Sequence, residues 1–244
     1  MKKIINTSFV GLSLCLLSSA AQTNEMDPKL TEQWTPIPPV VTINQIPSDA
    51  ISLFNGSNLE AWQDRNGKTP AWQVENGTVT VTPKTGAMVS KQAFCDIQLH
   101  LEWRSPNKVA GKSGQGLGNS GIHIQGRYEV QVLDSYENQT YANGQAASVY
   151  KQSAPLVNAT LPTGQWNSYD IIFKAPVFNE DQSLKTPAYV TVLHNGILVQ
   201  NHFEIKGSTT YKGQPSYKAH GCAPIVLQDH GDKVSYRNIW VREL

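Results

Sequence analysis

The chain has 244 residues, of which 20 are Lys or Arg and 19 are Asp or Glu, so its formal net charge is +1. A hydrophobic fraction of 39% and a charged fraction of 16% are those of an ordinary globular protein. No basic run or stripe is present, so we expect no nucleic-acid partner. The length suits one all-β domain. The sequence carries no signal for an oligomeric state.

The N-terminus is predicted to be a secretory signal peptide over residues 1–21. Two lysines follow the first Met, an apolar run covers residues 9–17, and small residues at 18–21 suit a cleavage site. The run is too short for a membrane, so no transmembrane span is expected. A lipoprotein box is hinted at before Cys15, but the bulky residue preceding it argues against lipidation. We expect a periplasmic or secreted protein.

A proline-rich arm is predicted for residues 22–47, which contain five prolines and no hydrophobic periodicity. The remaining residues, 48–244, are predicted to form a single domain. No segment in it has a sustained 3.6-residue period, which argues against helices. Asn-Gly pairs, which are typical of tight turns, separate short β-rich runs at 55–56, 66–67, 76–77, 143–144 and 195–196. Many short strands with frequent turns predict an all-β sandwich or barrel.

The stretch 119–134 carries the strongest functional pattern and is predicted to form two strands joined by a tight turn. Alternate residues point to opposite faces of a sheet, so the apolar residues of both strands face a core. The other face then carries an imidazole, two amides and a carboxylate: His123, Gln125, Glu129 and Gln131. This combination indicates the floor of a polar cleft, although a merely solvated outer face has the same alternation.

The predicted strand 96–104 has a second polar face, formed by His100, Glu102 and Arg104. If this strand neighbours the first two, one sheet face holds two carboxylates, two imidazoles and a guanidinium. Such a cluster shifts pKa values and indicates a functional site. We therefore predict one concave cleft that Glu102 and Arg104 line together with His123, Glu129, Gln131 and His230. The alternative is a salt-bridged outer face.

Asp134 follows Gln131 by three residues, so a regular strand would point it to the core and a β-bulge would return it to the polar face. The spacing Glu129-x-Gln131-x-x-Asp134 resembles the Glu-x-Asp-x-x-Glu motif of laminarinase-like glycosidases. In this chain an amide replaces the central carboxylate and the last carboxylate is shorter. The double-displacement mechanism of those enzymes is therefore not carried over directly.

Three long loops are predicted at 105–118, 135–161 and 207–221. Long loops in a compact domain are usually functional or disordered. The second and third contain several tyrosines, whose faces suit stacking on sugar rings. The alternative is that these tyrosines lie incidentally on loose surface loops.

Two cysteines, Cys95 and Cys222, remain after signal-peptide removal. Export permits a disulfide between them, whereas Cys95 fits a buried free thiol equally well. No cofactor is expected. A divalent cation held by His123, His230 and a carboxylate remains an alternative, but the sequence has no His-x-His or His-x₃-His spacing to support it.

Several motifs follow one another in order along residues 51–244: Phe54-Asn55-Gly56, Leu101-Glu102-Trp103-Arg104, Asn119-Ser120-Gly121-Ile122, Tyr128 to Asp134, Leu227-Gln228-Asp229-His230-Gly231 and Arg237-Asn238-Ile239. Together they resemble the 3-keto-disaccharide hydrolase family. The resemblance implies a concanavalin-like jelly-roll sandwich of two antiparallel sheets. It also implies an enzyme that cleaves glycosides already oxidised at C3.

For such a substrate we expect proton abstraction at C2, elimination of the aglycone and hydration of the unsaturated sugar. We expect Glu129 or His230 to be the base and Glu102 the acid. Stabilisation of the enolate is assigned to Arg104, His123 or Arg237. The further residues expected to bind substrate are Gln125, Gln131, Asp134 and Gln228.

Two other functions remain open. One is a glycoside hydrolase that acts on unoxidised glycans with two carboxylates. The other is a carbohydrate-binding module without catalytic activity.

Overall fold

The computed structural model describes residues 27–42, 44, 46–108 and 110–244. The predicted signal peptide and the first residues of the predicted arm lie outside these residues. The chain divides into two compact units, Met1–Val40 and Val41–Leu244. In the first unit a short 3₁₀ helix spans Pro28–Thr31. Nowhere in the described chain does a helix have the length and hydrophobicity needed to cross a bilayer.

Among its described residues the second unit contains fifteen short strands, and eight of them form one antiparallel sheet. Along seven of these strands the order is β13 (Ile197–Glu204), β12 (Tyr189–His194), β9 (Asn167–Lys174), β6 (Ile97–Arg104), β15 (Ser235–Glu243), β4 (Thr78–Thr80) and β3 (Gln73–Glu75). The eighth, β1 (Ile51–Phe54), pairs with β15. We call this the first sheet.

The second sheet has five antiparallel strands, and it carries the predicted polar hairpin. Its order is β2 (Trp62–Gln63), β5 (Met88–Phe94), β14 (Ala223–Leu227), β7 (Ser120–Ile124) and β8 (Tyr128–Val132). A separate two-stranded ribbon consists of β10 (Val177–Phe178) and β11 (Leu184–Thr186). The remaining short helices are 3₁₀ turns at Gly114–Gly116 and Ala142–Gly144.

The hydrophobic core lies between the two sheets and is built from alternate residues of their strands. Leu101 and Trp103 of β6 and Ile122 of β7 are fully buried. Two tyrosines of the first sheet make hydrogen bonds through the core to the second sheet. Tyr169 donates to the carbonyl oxygen of Gln131, and Tyr236 donates to the hydroxyl of Ser120. The predicted all-β sandwich of two antiparallel sheets is therefore confirmed as a concanavalin-like jelly roll.

Two of the five Asn-Gly pairs close hairpins as predicted. Asn76-Gly77 joins β3 to β4 and Asn195-Gly196 joins β12 to β13. All four residues have positive φ, between 49° and 76°, which tight hairpin turns require and which Asn and Gly tolerate best. By contrast, β5 was not predicted, because its mixed sequence Met-Val-Ser-Lys-Gln-Ala-Phe has no clean alternation.

Cys95 and Cys222 form a disulfide, with Cα atoms 4.6 Å apart. The bond links the turn between β5 and β6 to the residue before β14. It therefore connects two parts of the chain that are 127 residues apart in sequence. A crosslink over so long a loop restricts the unfolded chain and stabilises the folded one.

Candidate active site

A cavity of about 270 Å³ opens on the outer face of the second sheet. Its floor is formed by β7, β8 and the end of β14, and loops form its walls. The lining residues are Asn119, His123, Glu129, Gln131, Tyr150, Thr209, Tyr211, Gln228 and His230. Polar side chains thus converge on one concave space, as expected for a site that orients a hydroxyl-rich ligand.

Glu129 and His123 form the centre of the floor. They are direct partners across the β7–β8 hairpin, so their side chains project from the same face. His123 Nε2 lies 3.7 Å from Glu129 Oε1, and their side chains are 20% and 6% exposed. The cavity therefore contains a carboxyl that is almost completely removed from water.

Removal from water shifts both groups towards their neutral forms. Burial raises the pKa of the Glu129 carboxyl from 4.5 to about 7. Burial also lowers the pKa of the His123 imidazole to about 4, with a smaller contribution from the positive charge of Arg65. Near neutral pH the carboxyl can therefore accept or release a proton, while the imidazole stays neutral and keeps one N–H donor.

Gly121 creates the space that the Glu129 carboxyl occupies. A Cβ atom added at Gly121 would lie 2.3 Å from Glu129 Oε1, far inside van der Waals contact. Gly121 faces Gln131 across the hairpin, so any larger residue would also crowd the floor. Its part in the Asn119-Ser120-Gly121-Ile122 motif therefore has a steric explanation.

Amide side chains surround the carboxyl. Gln131 Nε2 donates to Asn119 Oδ1 over 3.2 Å, which fixes the orientation of the Gln131 amide. The Oε1 atoms of Gln131 and Gln228 are buried and accept no hydrogen bond within the described part of the chain. Two amide acceptors beside the cavity are thus left without a hydrogen-bond donor among the described residues.

His230 lies exposed at the rim of the cavity, on a turn that follows β14. Carboxylates on either side hold this turn in place. Asp229 accepts hydrogen bonds from the backbone N–H groups of Gly86 and Gly231. Asp232 accepts from the backbone N–H of Asn119 and from the Lys112 ammonium. The imidazole is thus positioned at the cavity without being buried.

The loops predicted to be functional form the walls. Thr209 of one loop accepts a hydrogen bond from the Glu129 backbone N–H and donates its own N–H to the Arg127 carbonyl. Tyr150 of the other loop donates its backbone N–H to the Glu129 carbonyl. Both loops therefore attach to the edge strand β8. Their tyrosines, Tyr141, Tyr150 and Tyr211, line two further cavities of about 470 and 400 Å³ that adjoin the first.

Glu102 and Arg104 do not lie in this cavity, so the prediction of one cleft is wrong for them, and Arg237, expected to bind substrate, is also absent from it. They belong to β6 and β15, which are strands of the first sheet. There Arg237 donates to Glu102 over 2.6 Å, and both guanidinium groups stack on Trp166 at 4.7 and 4.3 Å from its ring centre. The alternative of a salt-bridged outer face applies to these residues.

Gln125 and Asp134 are also outside the cavity. Gln125 is buried in the β7–β8 turn, where its amide donates to the Phe94 carbonyl. Asp134 lies beyond the end of β8, and it is buried where it accepts hydrogen bonds from Thr163 and the Tyr136 backbone. The strand ends before a bulge could return this carboxyl to the outer face.

The structure places four of the predicted residues together with His230, namely His123, Glu129, Gln131 and Gln228. Sequence reasoning missed Asn119 and Thr209 as lining residues. Asn119 could have been recognised as a lining residue from the sequence, because it begins a motif that precedes the polar strand. Thr209 could not, since its position depends on how a distant loop folds back onto β8. Within the described residues, no group of three His, Cys, Asp or Glu side chains is arranged to hold a metal ion.

Jelly-roll sandwiches include lectin domains, and the polar cavity on one sheet of this sandwich suits a hydroxyl-rich ligand such as a carbohydrate. Residues 49–242 match the family described as the 3-keto-alpha-glucoside-1,2-lyase-like domain. The chain belongs to this family, which confirms the predicted resemblance.

Individual relatives agree with this assignment. A 3-keto-disaccharide hydrolase of Bacteroides thetaiotaomicron is 25% identical over 82% of this chain and 81% of its own length. A crystal structure of a candidate glycosyl hydrolase from Parabacteroides distasonis is 49% identical, with a TM-score of 0.85 over 90% of this chain and 97% of its own. A second candidate glycosyl hydrolase from that organism, at 22% identity and a TM-score of 0.56, covers 79% of this chain and 92% of its own and shares the fold.

We predict that Gly121→Ala displaces the Glu129 carboxyl, because the added methyl group would occupy its position. A crystal structure of the variant should show the carboxyl moved by about 1 Å or more, with a stability loss of about 1–3 kcal/mol from overpacking. Gly116→Ala is the matched control, since nothing lies within 4 Å of a Cβ atom there. An unmoved carboxyl in Gly121→Ala would contradict the steric role.

We also predict that Glu129→Gln changes how stability depends on pH. The folded pKa of this carboxyl is raised, so its favourable contribution is complete below pH 4.5 and is lost as pH rises through about 7. The free energy of unfolding of the wild type, relative to the variant, should fall by about 3 kcal/mol between pH 4.5 and about pH 8. Urea unfolding at both values measures this. A difference that does not change with pH would mean a solvated carboxyl.

Proposed function

We propose that the protein cleaves the glycosidic bond of 3-keto-glycosides, by removal of the C2 proton, elimination and hydration. The observation that carries the proposal is the buried Glu129 carboxyl beside His123, with a pKa raised to about 7. A base of this strength suits abstraction of a proton next to a ketone at neutral pH. Family membership supports the same substrate class.

In the first step the Glu129 carboxylate removes the C2 proton. The electron pair of the C–H bond forms a C2–C3 double bond, and the C3 oxygen becomes an enolate. When the carbonyl re-forms, a C1–C2 double bond develops and the aglycone leaves C1 with its bonding pair. Water then adds to C1 as hydroxide while its remaining proton returns to His230, and C2 recovers a proton from Glu129. The products are the free 3-keto-sugar and the aglycone.

Other cavity residues have roles that follow from their position. The neutral His123 imidazole donates its N–H to the developing enolate oxygen, which stabilises charge where it forms. His230, at the rim, donates a proton to the departing aglycone oxygen. The Gln131 and Gln228 amides accept hydrogen bonds from the sugar hydroxyls. Glu102, which the sequence suggested as the acid, lies in the other sheet and is not included.

The two-carboxylate mechanism on unoxidised glycans has less support. It needs a second carboxyl about 5–9.5 Å from the first. Glu129 is the only carboxylic acid among the described residues that line the cavity. The position that carries the central carboxylate in laminarinase-like enzymes is Gln131, and Asp134 is turned away. An activated substrate that needs only one base fits these residues better.

Comparison of a 3-keto-glucoside with its parent glucoside tests the reaction. Wild-type protein should release the aglycone from the oxidised substrate only. Glu129→Gln should keep the fold and lower turnover by about 10²–10⁴-fold. Glu102→Gln, the same change on the other sheet, should retain near-wild-type turnover. Cleavage of the parent glucoside would favour the two-carboxylate hydrolase, and sugar binding without turnover would favour a binding module.

The pH dependence of the reaction gives a second prediction. Because the base must be deprotonated, kcat/KM for the 3-keto-glucoside should rise as the pH is raised from about 5 through about 7. Stopped assays between about pH 5 and 9 measure the profile. A rate that is already maximal at pH 5 would remove Glu129 as the base and shift the assignment to another group.

We further propose that the protein is exported. The predicted leader and the disulfide support an oxidising compartment, because such bonds rarely persist in the cytosol. The mature chain should begin near Gln22 and be recovered from the periplasm or the medium. Mass spectrometry of protein from a cell that processes signal peptides measures the N-terminus. An intact Met1 would contradict the proposal.

A further inference from the structure

A second cavity, of about 260 Å³, adjoins the first. The two cavities share His123, Thr209 and Gln228 as lining residues. The second is distinguished by two arginines, Arg65 and Arg127, among its lining residues. A ligand that fills the first cavity and continues past His123 would reach these two arginines.

Neither guanidinium has a carboxylate partner in the described part of the chain. Arg127 donates to the carbonyl oxygen of Gln125 over 2.8 Å, which is a neutral acceptor. Arg65 is exposed and makes no hydrogen bond or ion pair with the described residues. The other described lining residues include two hydroxyl groups, those of Ser208 and Thr209, and no acid.

Two carboxylates close to these arginines in sequence or space, Asp64 and Asp229, are engaged elsewhere. Asp64, which precedes Arg65, accepts hydrogen bonds from the backbone N–H groups of Asn66 and Lys68. Asp229 is bonded to the backbone N–H groups of its own turn and of Gly86. The Asp64 bonds also order the backbone of the turn that carries Arg65. Neither Asp64 nor Asp229 is therefore free to pair with Arg65 or Arg127.

The opposite end of the groove has a different character. Tyr150 and Tyr211 line the central cavity and continue into the adjoining tyrosine-rich cavities. The Lys151 ammonium there lies 4.1 Å from the Tyr211 ring centre, so its charge is directed onto an aromatic face. One end of the groove thus suits the C–H face of a sugar, and the other suits an anion.

We propose that Arg65 and Arg127 form a subsite for a negatively charged group on the substrate, so that the preferred substrate is an acidic 3-keto-glycoside. The acidic group is a carboxylate or a phosphate on the sugar unit next to the one that is cut. Arginine recognises both of these anions with paired N–H donors. The inference deepens the proposed function and rests on it for the identity of the bond cleaved.

Three matched disaccharides test the subsite. Each has a 3-keto-glucosyl unit, and the second unit is glucose, glucuronic acid or glucose 6-phosphate. For the wild type, KM of at least one acidic substrate should be about 5- to 20-fold lower than KM of the neutral one, as expected for one charged contact. The two acidic substrates distinguish a carboxylate from a phosphate. Equal KM values for all three would overturn the proposal while leaving the proposed reaction intact.

Variants assign the effect to the subsite. Arg65→Gln should remove most of the preference for the acidic substrate and leave KM for the neutral substrate within about 2-fold. Arg65→Lys should retain part of the preference. Lys91→Gln removes one exposed positive charge elsewhere on the second sheet and should change neither value. Loss of the preference in Lys91→Gln as well would show a general charge effect and contradict a subsite.

Binding of the unoxidised parent disaccharides separates this proposal from the reaction. Calorimetry should show tighter binding of the acidic than of the neutral parent, and Arg65→Gln should abolish the difference. This result would support the subsite even if no 3-keto compound were cleaved. Binding that is independent of the acidic group and of Arg65 would overturn the subsite whatever the reaction is.

Discussion

Alternation of side chains along β8 is the constraint on which the site depends. Tyr128, Val130 and Val132 face the core and are at most 2% exposed, so the strand cannot slip by one residue without burying Glu129 among them. The outer face is covered in turn by two loops that bond to the strand edge. Packing of the inner face of β8 consequently fixes the position of Glu129, and the loops over the outer face remove its side chain from water.

Removing this carboxyl from water costs free energy, and the surrounding residues determine how far the pKa of the carboxyl rises. No described residue donates a hydrogen bond to the Glu129 oxygens, while the neutral His123 lies 3.7 Å away. Hydrogen bonds to the carboxylate would have lowered its pKa and made it a weaker base. The core beneath β8 offsets the cost, since each large apolar side chain buried there contributes about 1.5–3 kcal/mol. The sheet can therefore remain stably folded while it carries a carboxyl of raised pKa.

Much of the fold could be predicted because it is encoded locally. Hairpin turns at Asn76-Gly77 and Asn195-Gly196, and the apolar faces of β6, β7 and β8, follow from short-range chemistry and alternation. The error over Glu102 and Arg104 has a physical origin. Alternation determines which face of its own sheet a side chain occupies, but a sandwich has two outer faces. The choice between them depends on pairing with strands far away in sequence, and β6 pairs with β9 and β15.

The walls of the site were less predictable for a related reason. Tyrosine-rich loops could be recognised from composition, but the approach of Thr209 to Glu129 joins residues that are 80 positions apart. The position of Asp134 depends on where β8 ends, and its partner Thr163 lies 29 residues further on. Such contacts are made by the folded sandwich as a whole, so no local pattern specifies them.

The chemistry of the cavity floor depends on the side chains that strand alternation places on the outer face of β7 and β8. A glycosidase that acts on an ordinary sugar must both protonate a leaving group and attack or stabilise a cationic carbon, which usually takes two carboxyl groups. Here the position two residues after Glu129 is an amide, and an amide cannot ionise. In the reaction that we propose, a ketone at C3 of the substrate removes the need for the second carboxyl, because it acidifies C2 and accepts the negative charge itself. The protein then has to supply only a base of suitable pKa and neutral donors at the oxygen. The proposed reaction therefore requires a single desolvated carboxyl, a neutral imidazole and amides that hold hydroxyl groups.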